Sequence, residues 1–142
     1  MSELWVLDAT WDDIDDWDLL DEKKGLMQAQ LPPDWTVRVF SSTIDAFNAE
    51  GRPDALVVDI GTICGPYPQP EHGMRVAEEL LRKYPGATLF VCSAVGGWAE
   101  DAVADIADRA DAAPVWIDSD IWTWEKTFHE YGIFTKENTC SE

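Results

Sequence analysis

The chain is poor in basic residues and in cysteine. Only 10 Lys and Arg stand against 28 Asp and Glu in 142 residues, which gives a formal net charge of −18. Binding to nucleic-acid phosphates or to an anionic membrane surface needs clustered cations, so this deficit argues against both. The three cysteines include no CxxC pair, and their odd number argues against a disulfide framework or a structural zinc site. We therefore expect reduced thiols and a cytoplasmic protein.

Long apolar runs are also absent. No stretch of about 18 apolar residues is present, and the N-terminus lacks the basic start and apolar centre of a signal peptide. The hydrophobic fraction of 46% is nevertheless ordinary for a globular protein and is sufficient for a core. We expect one domain over residues 1–134 and a polar tail over residues 135–142.

Short apolar runs alternate with amphipathic segments along the chain. The apolar runs predict strands because they are short and rich in Val and aromatic residues. The predicted strands cover residues 4–8, 35–40, 55–60, 87–94 and 113–118. The predicted helices cover residues 14–30, 42–51, 73–86, 97–112 and 121–132. This alternation predicts a three-layer α/β/α sandwich around a five-stranded parallel sheet.

Polar residues stand where several predicted strands end: Asp8, Asp59, Ser93 and Asp118. Sites in open parallel sheets form at the carboxyl ends of the strands. Asp8 and Asp59 could converge there on a hard divalent cation such as Mg²⁺, and the Ser93 hydroxyl could contact a phosphoryl group. The alternative is that these residues cap strand ends and following helices without any chemistry.

With this order of elements, residues 3–131 resemble the receiver domain of two-component response regulators, which has a flavodoxin-like fold. The resemblance makes Asp59 in "ALVVDIG" the phosphoacceptor. It makes Asp8 in "VLDATWDD" part of the acidic pair that binds Mg²⁺, and the main-chain carbonyl of Gly61 a further metal ligand. Ser93 in "FVCSA" matches the hydroxyl residue that contacts the phosphoryl group.

The sequence departs from the receiver pattern in its charges. Ala9 follows Asp8, so half of the acidic pair is missing unless Asp12 or Asp13 completes it. The family's lysine at the end of the fifth strand is replaced by Asp118. A carboxylate at that place repels a phosphoryl dianion. These departures predict an atypical receiver, or pseudo-receiver.

Two aromatic residues are candidates for partner contacts. Tyr67 lies in the proline-rich loop "GTICGPYPQPEHG", which is stiffened by its prolines and suits a fixed recognition surface. Trp122 and Trp124 cannot both face inward from one helix, and Trp122 is the better candidate for exposure. Receivers often associate through their late helices, so the resemblance also implies a possible homodimer.

We expect a stand-alone, non-enzymatic, receiver-like signalling module that acts through protein–protein contacts without normal aspartyl phosphorylation. One alternative is a Mg²⁺-dependent receiver that is phosphorylated on Asp59. Another is an acidic decoy that binds a basic, DNA-binding partner. A hydrolase with Asp8 or Asp59 as nucleophile ranks last, because no general base is evident. Mg²⁺ is the only cofactor considered.

Overall fold

A computed structural model describes residues 2–8, 17–60, 70–93, 98–110, 114–118 and 120–131. The strands are β1 (Ser2–Leu7), β2 (Trp35–Phe40), β3 (Ala55–Asp59), β4 (Thr88–Cys92) and β5 (Val115–Trp116). The helices are α1 (Trp17–Ala29), α2 (Thr43–Asn48), α3 (Pro70–Lys83), α4 (Trp98–Ala110) and α5 (Trp124–Glu130). A short 3-10 helix, Ile121–Thr123, directly precedes α5.

The strands form one five-stranded sheet in the order β2-β1-β3-β4-β5, and all pairs are parallel. This confirms the predicted parallel sheet. Between β1 and β3 the strand order reverses direction, because the chain moves outward to β2 on one side and to β4 and β5 on the other. The crevice at such a reversal is the usual ligand site of an open α/β sheet.

Both faces of the sheet are covered by helices. One face packs Met27 of α1 and Trp124 and Phe128 of α5 against the sheet. On the other face, α2, α3 and α4 contribute the buried side chains listed here: Ala46, Ala77, Leu80, Leu81, Ala102 and Ile106. The central strand β3 is buried on both sides, which explains its continuous apolar run. The predicted three-layer α/β/α sandwich is therefore confirmed.

Helix α3 begins earlier than the sequence pattern predicted. It starts at Pro70 rather than at Gly73, in keeping with the preference of proline for the first turn of a helix. Gly73 therefore lies inside α3, where it packs directly on Ile60. A Cβ atom at Gly73 would lie 2.5 Å from the Ile60 Cβ atom. The glycine is required by this close approach rather than by a helix end.

Two other helix boundaries differ from the prediction. Helix α2 ends at Asn48, before Gly51, whose φ of 100° is in the left-handed region that favours glycine. At its start, the Ser42 side chain accepts a hydrogen bond from the Asp45 backbone N–H, as the capping prediction allowed. The final predicted helix divides into the 3-10 turn and α5.

Helix α5 buries two aromatic side chains. Trp124 and Phe128 are buried, whereas Tyr131 is 54% exposed. Tyr131 follows the last residue of α5, and its backbone is no longer helical. Its side chain therefore does not continue the buried stripe of the helix. Cys92 is buried in β4.

The described helices include none that is both long and apolar enough to cross a membrane. The predicted polar tail over residues 135–142 lies outside the described residues.

Candidate functional site

The sheet brings Asp8 and Asp59 to one cavity. Leu7 of β1 is in register with Val58 of β3, so the next residue of each strand, Asp8 and Asp59, is at the same level of the sheet. The Asp8 backbone N–H donates to the Phe40 carbonyl at 3.0 Å, which holds the chain in sheet register beyond β1. Both residues line one cavity, and their role as ligands of a cation stays a prediction.

The cavity lies at the carboxyl ends of the strands, next to the reversal of strand order, and has a volume of about 80 Å³. Both apolar and charged residues line it. Its described lining consists of Val6, Asp8, Lys23, Met27, Val57, Asp59, Cys92, Ile121 and Trp124. A cavity of this size accommodates a few water molecules or a hydrated ion rather than a large ligand.

Helix α1 contributes a cation to this cavity. Lys23 is half-buried and lines it together with Asp8 and Asp59, whereas the adjacent Lys24 is exposed. Sequence reasoning missed Lys23. A signal was present, because Lys23 lies four residues before Met27, and residues spaced by four share one helix face. Met27 is 2% exposed and belongs to the core between α1 and the sheet, so Lys23 points toward the same sheet edge.

The pKa of the Cys92 thiol is affected by the negative charges of this region. It is the residue of β4 in register with Asp59, and its thiol lines the cavity. Burial raises the pKa of the Cys92 thiol well above its usual value, and the negative charges of Asp59, Asp8 and Asp118 raise it further. The thiol is therefore protonated at neutral pH and unsuited to act as a nucleophile.

Asp118 takes part in the turn between β5 and α5. It follows β5 by two residues and is exposed. Its carboxylate accepts a hydrogen bond from the Asp120 backbone N–H at 2.9 Å, and its carbonyl accepts one from the Trp124 indole at 2.8 Å. Among the described residues Asp118 is not part of the cavity lining. It fixes the turn that leads into α5.

Two other predicted site residues, Ser93 and Trp122, lie outside the described lining of the cavity. Ser93 directly follows β4 and is half-buried, and it is not among the described residues that line the cavity. Trp122 is 68% exposed, as predicted for a contact residue. Gly61 and Tyr67 lie outside the described residues, so the predicted carbonyl ligand and loop contact stay predictions.

The donor set fits a divalent cation only in part. Asp8 and Asp59 supply hard oxygen ligands of the type that Mg²⁺ prefers. Within the described parts of the chain, no group of three or more Asp, Glu, His or Cys side chains is arranged to hold a metal ion. Lys23 places a positive charge at the same cavity, which disfavours a second cation there.

The sheet order and the position of the cavity define a receiver-type α/β fold, and comparisons with solved structures agree. No family model and no curated protein matches the sequence. A CheY-like receiver domain protein from Methanospirillum hungatei superposes with a TM-score of 0.61 at 12% identity, over 97% of this chain and 98% of that one.

Response regulator DrrB, an OmpR/PhoB homolog from Thermotoga maritima, superposes with a TM-score of 0.59 at 17% identity over 97% of this chain. The chain spans 54% of the length of DrrB. The BeF3-activated DrrB receiver domain alone gives a TM-score of 0.57 at 17% identity, over 92% of this chain and 98% of that one. This chain therefore has the fold of response-regulator receiver domains.

Proposed function

We propose that this protein is an atypical receiver-like signalling module that acts through protein–protein contacts, without catalysis and without normal aspartyl phosphorylation. The observation that carries the proposal is the altered charge arrangement of a receiver-type cavity. Asp8 and Asp59 are both at the cavity, but the lysine expected beyond the fifth strand is Asp118. We place the module in the cytoplasm.

The hydrogen bonds of Asp118 support this proposal. Its carboxylate and its carbonyl both accept hydrogen bonds that stabilise the turn before α5. A receiver that signals through phosphate needs a cation near the acceptor to balance the added negative charge. Here the residue in that sequence position is itself negatively charged, and Asp59 and Asp118 both raise the pKa of the Cys92 thiol, after the larger effect of burial.

A beryllofluoride titration in millimolar Mg²⁺ tests the proposal, since a receiver domain of this fold is known in a BeF3-activated form. Trp124 lines the cavity, so its emission should report occupancy, and fluorine NMR detects bound beryllofluoride directly. We expect no saturable signal in the wild-type protein beyond that of the Asp59→Asn control. Saturable binding in the wild type that Asp59→Asn abolishes would refute the proposal.

That second outcome would support the runner-up, a Mg²⁺-dependent receiver with Asp59 as phosphoacceptor. The position of Asp59 favours it, because the carboxylate lies at the end of the central strand and lines the cavity. In this reading Mg²⁺ would bind Asp8 and Asp59 together with the Gly61 carbonyl, and Ser93 would contact the phosphoryl group.

The protein partner would contact the exposed aromatic residues at the β5–α5 side. Trp116, Trp122 and Tyr131 are 45%, 68% and 54% exposed, respectively. Large exposed aromatic side chains are typical anchors of interfaces. We propose Trp122 as a contact residue, either for another protein or in a homodimer. Sedimentation equilibrium of the wild type and Trp122→Ala tests the homodimer, which requires weaker association in the variant.

The acidic decoy is a further candidate, and the net charge of −18 favours it. Such a protein would bind basic, DNA-binding partners by long-range attraction, which salt screens. Affinity capture at low and high ionic strength tests this reading. Failure to recover a basic partner at low salt would remove its support.

A further inference from the structure

Three charged residues line the cavity: Asp8, Asp59 and Lys23. The single positive charge of the lysine offsets one of the two negative charges of the carboxylates. The whole chain has only 10 Lys and Arg against 28 acidic residues. A lysine that points from α1 into the cavity of two strand-end carboxylates therefore meets a strongly negative local field.

The packing of α1 determines where Lys23 lies. Met27, one helical turn further along, is 2% exposed and is packed in the core between α1 and the sheet. The Gln28 side chain ties the same helix to the edge strand, with its amide donating to the Trp35 carbonyl at 2.7 Å. Its Oε1 atom accepts from the Val37 backbone N–H at 3.3 Å. These contacts orient α1 so that Lys23 lines the cavity, while Lys24 is exposed.

We propose that Lys23 is the built-in counter-ion of the Asp8–Asp59 pair and takes the place of a divalent cation in this cavity. The inference deepens the proposed function, since a lysine that offsets one of the two carboxylate charges lowers the repulsion that a metal ion would otherwise relieve. Charges around one small cavity are screened less than surface charges, so Lys23 and a divalent cation compete for the same carboxylates.

The proposal predicts that removal of the Lys23 charge opens the cavity to Mg²⁺. In Lys23→Met the side chain keeps its length and loses its charge. We expect this variant to bind Mg²⁺ about tenfold more tightly than the wild type in isothermal titration calorimetry, because the repelling ammonium group is gone. Without metal, the unfolding midpoint of Lys23→Met should lie below that of the wild type. Addition of Mg²⁺ should raise the midpoint of the variant.

Lys24→Met is the matched control. It makes the same change in net charge one residue away, at an exposed position outside the described lining of the cavity. Metal binding to the acidic surface in general affects both variants equally. The double variant Lys23→Met/Asp59→Asn should lose the gain in Mg²⁺ affinity, because it lacks one of the two carboxylates.

Equal Mg²⁺ affinity of Lys23→Met and Lys24→Met would overturn the proposal. If Lys23→Met does not fold, Lys23→Gln replaces it, and Lys23→Arg, which keeps the charge, should bind Mg²⁺ as weakly as the wild type. Beryllofluoride binding by the wild type would refute the proposed function by a separate measurement. Beryllofluoride binding that Lys23→Met abolishes would instead assign Lys23 to the phosphoryl group and would also overturn this proposal.

Discussion

Replacement of Gly73 by Ala should destabilise the protein, although alanine is the better helix former. Gly73 lies inside α3 and is buried against Ile60, the residue that directly follows Asp59. A Cβ atom there would lie 2.5 Å from the Ile60 Cβ atom and 2.6 Å from both its Cα atom and its carbonyl oxygen. Nonbonded carbon atoms prefer separations of about 3.5–4.0 Å, so α3 or the end of β3 must shift by roughly 1 Å.

The magnitude follows from two opposed effects. Overpacking of a dense core costs about 1–3 kcal/mol, and the atoms in contact are backbone atoms and a Cβ atom, which cannot rotate away. Glycine to alanine inside a helix contributes about 1 kcal/mol in the other direction. We expect a net loss of about 1–2 kcal/mol in the free energy of unfolding, measured by urea denaturation with tryptophan emission as the signal.

Gly25→Ala is the matched control for this prediction. Gly25 lies inside α1, and among the described residues a Cβ atom at that position would meet no atom within 4 Å beyond its chain neighbours and the backbone of its own helix. The same substitution should there stabilise the protein by about 0.5–1 kcal/mol through helix propensity alone. Opposite signs for the two variants are expected. If Gly73→Ala were as stable as Gly25→Ala, the close packing of α3 on Ile60 would be wrong.

Three further predictions concern the Cys92 thiol and the packing of α5. Stability should fall above about pH 9, because the raised pKa of Cys92 keeps the native thiol protonated while the unfolded thiol ionises; urea titrations at neutral and alkaline pH measure this. Phe128→Ala should cost about 3–5 kcal/mol, since Phe128 is 0% exposed, whereas Trp122→Ala, at 68% exposure, should change stability by less than about 0.5 kcal/mol in the same assay. Gln30→Ala should cost about 1–2 kcal/mol in thermal unfolding, because the Gln30 Oε1 atom accepts from the Glu125 backbone N–H at 3.1 Å.

Each of these expectations has a result that contradicts it. The stabilising contribution of the Cys92 thiol is fully present below the pKa of the unfolded thiol. It is lost as the pH rises toward the pKa of the native thiol. Cys92→Ala should therefore show a weaker fall at alkaline pH, and an unchanged slope would count against the argument. Equal losses for Phe128→Ala and Trp122→Ala would contradict the burial of α5. An unaffected Gln30→Ala would mean that the hydrogen bond to α5 contributes nothing.

Much of the fold could be predicted from local sequence. Apolar runs of strand length alternate with amphipathic segments, and a parallel sheet with helices on both faces is the arrangement that buries both. The ends of elements were less predictable. Helix α3 starts at Pro70, three residues before the position that the apolar stripe indicated, and the exposure of Tyr131 depends on where α5 ends. Neither boundary is encoded in the local hydrophobic pattern.

The sequence by itself determined that Asp8 and Asp59 would lie at one edge of the sheet, because the carboxyl ends of parallel strands share that edge. Only the tertiary structure decided which other charged side chain shares a cavity with these two carboxylates. Asp118 follows the fifth strand in sequence, yet its hydrogen bonds belong to the turn before α5. Lys23 is distant in sequence from both carboxylates, yet it lines their cavity. The direction of a side chain depends on the packing of its whole element, and the position of α1 on the sheet depends on long-range contacts such as that of Met27.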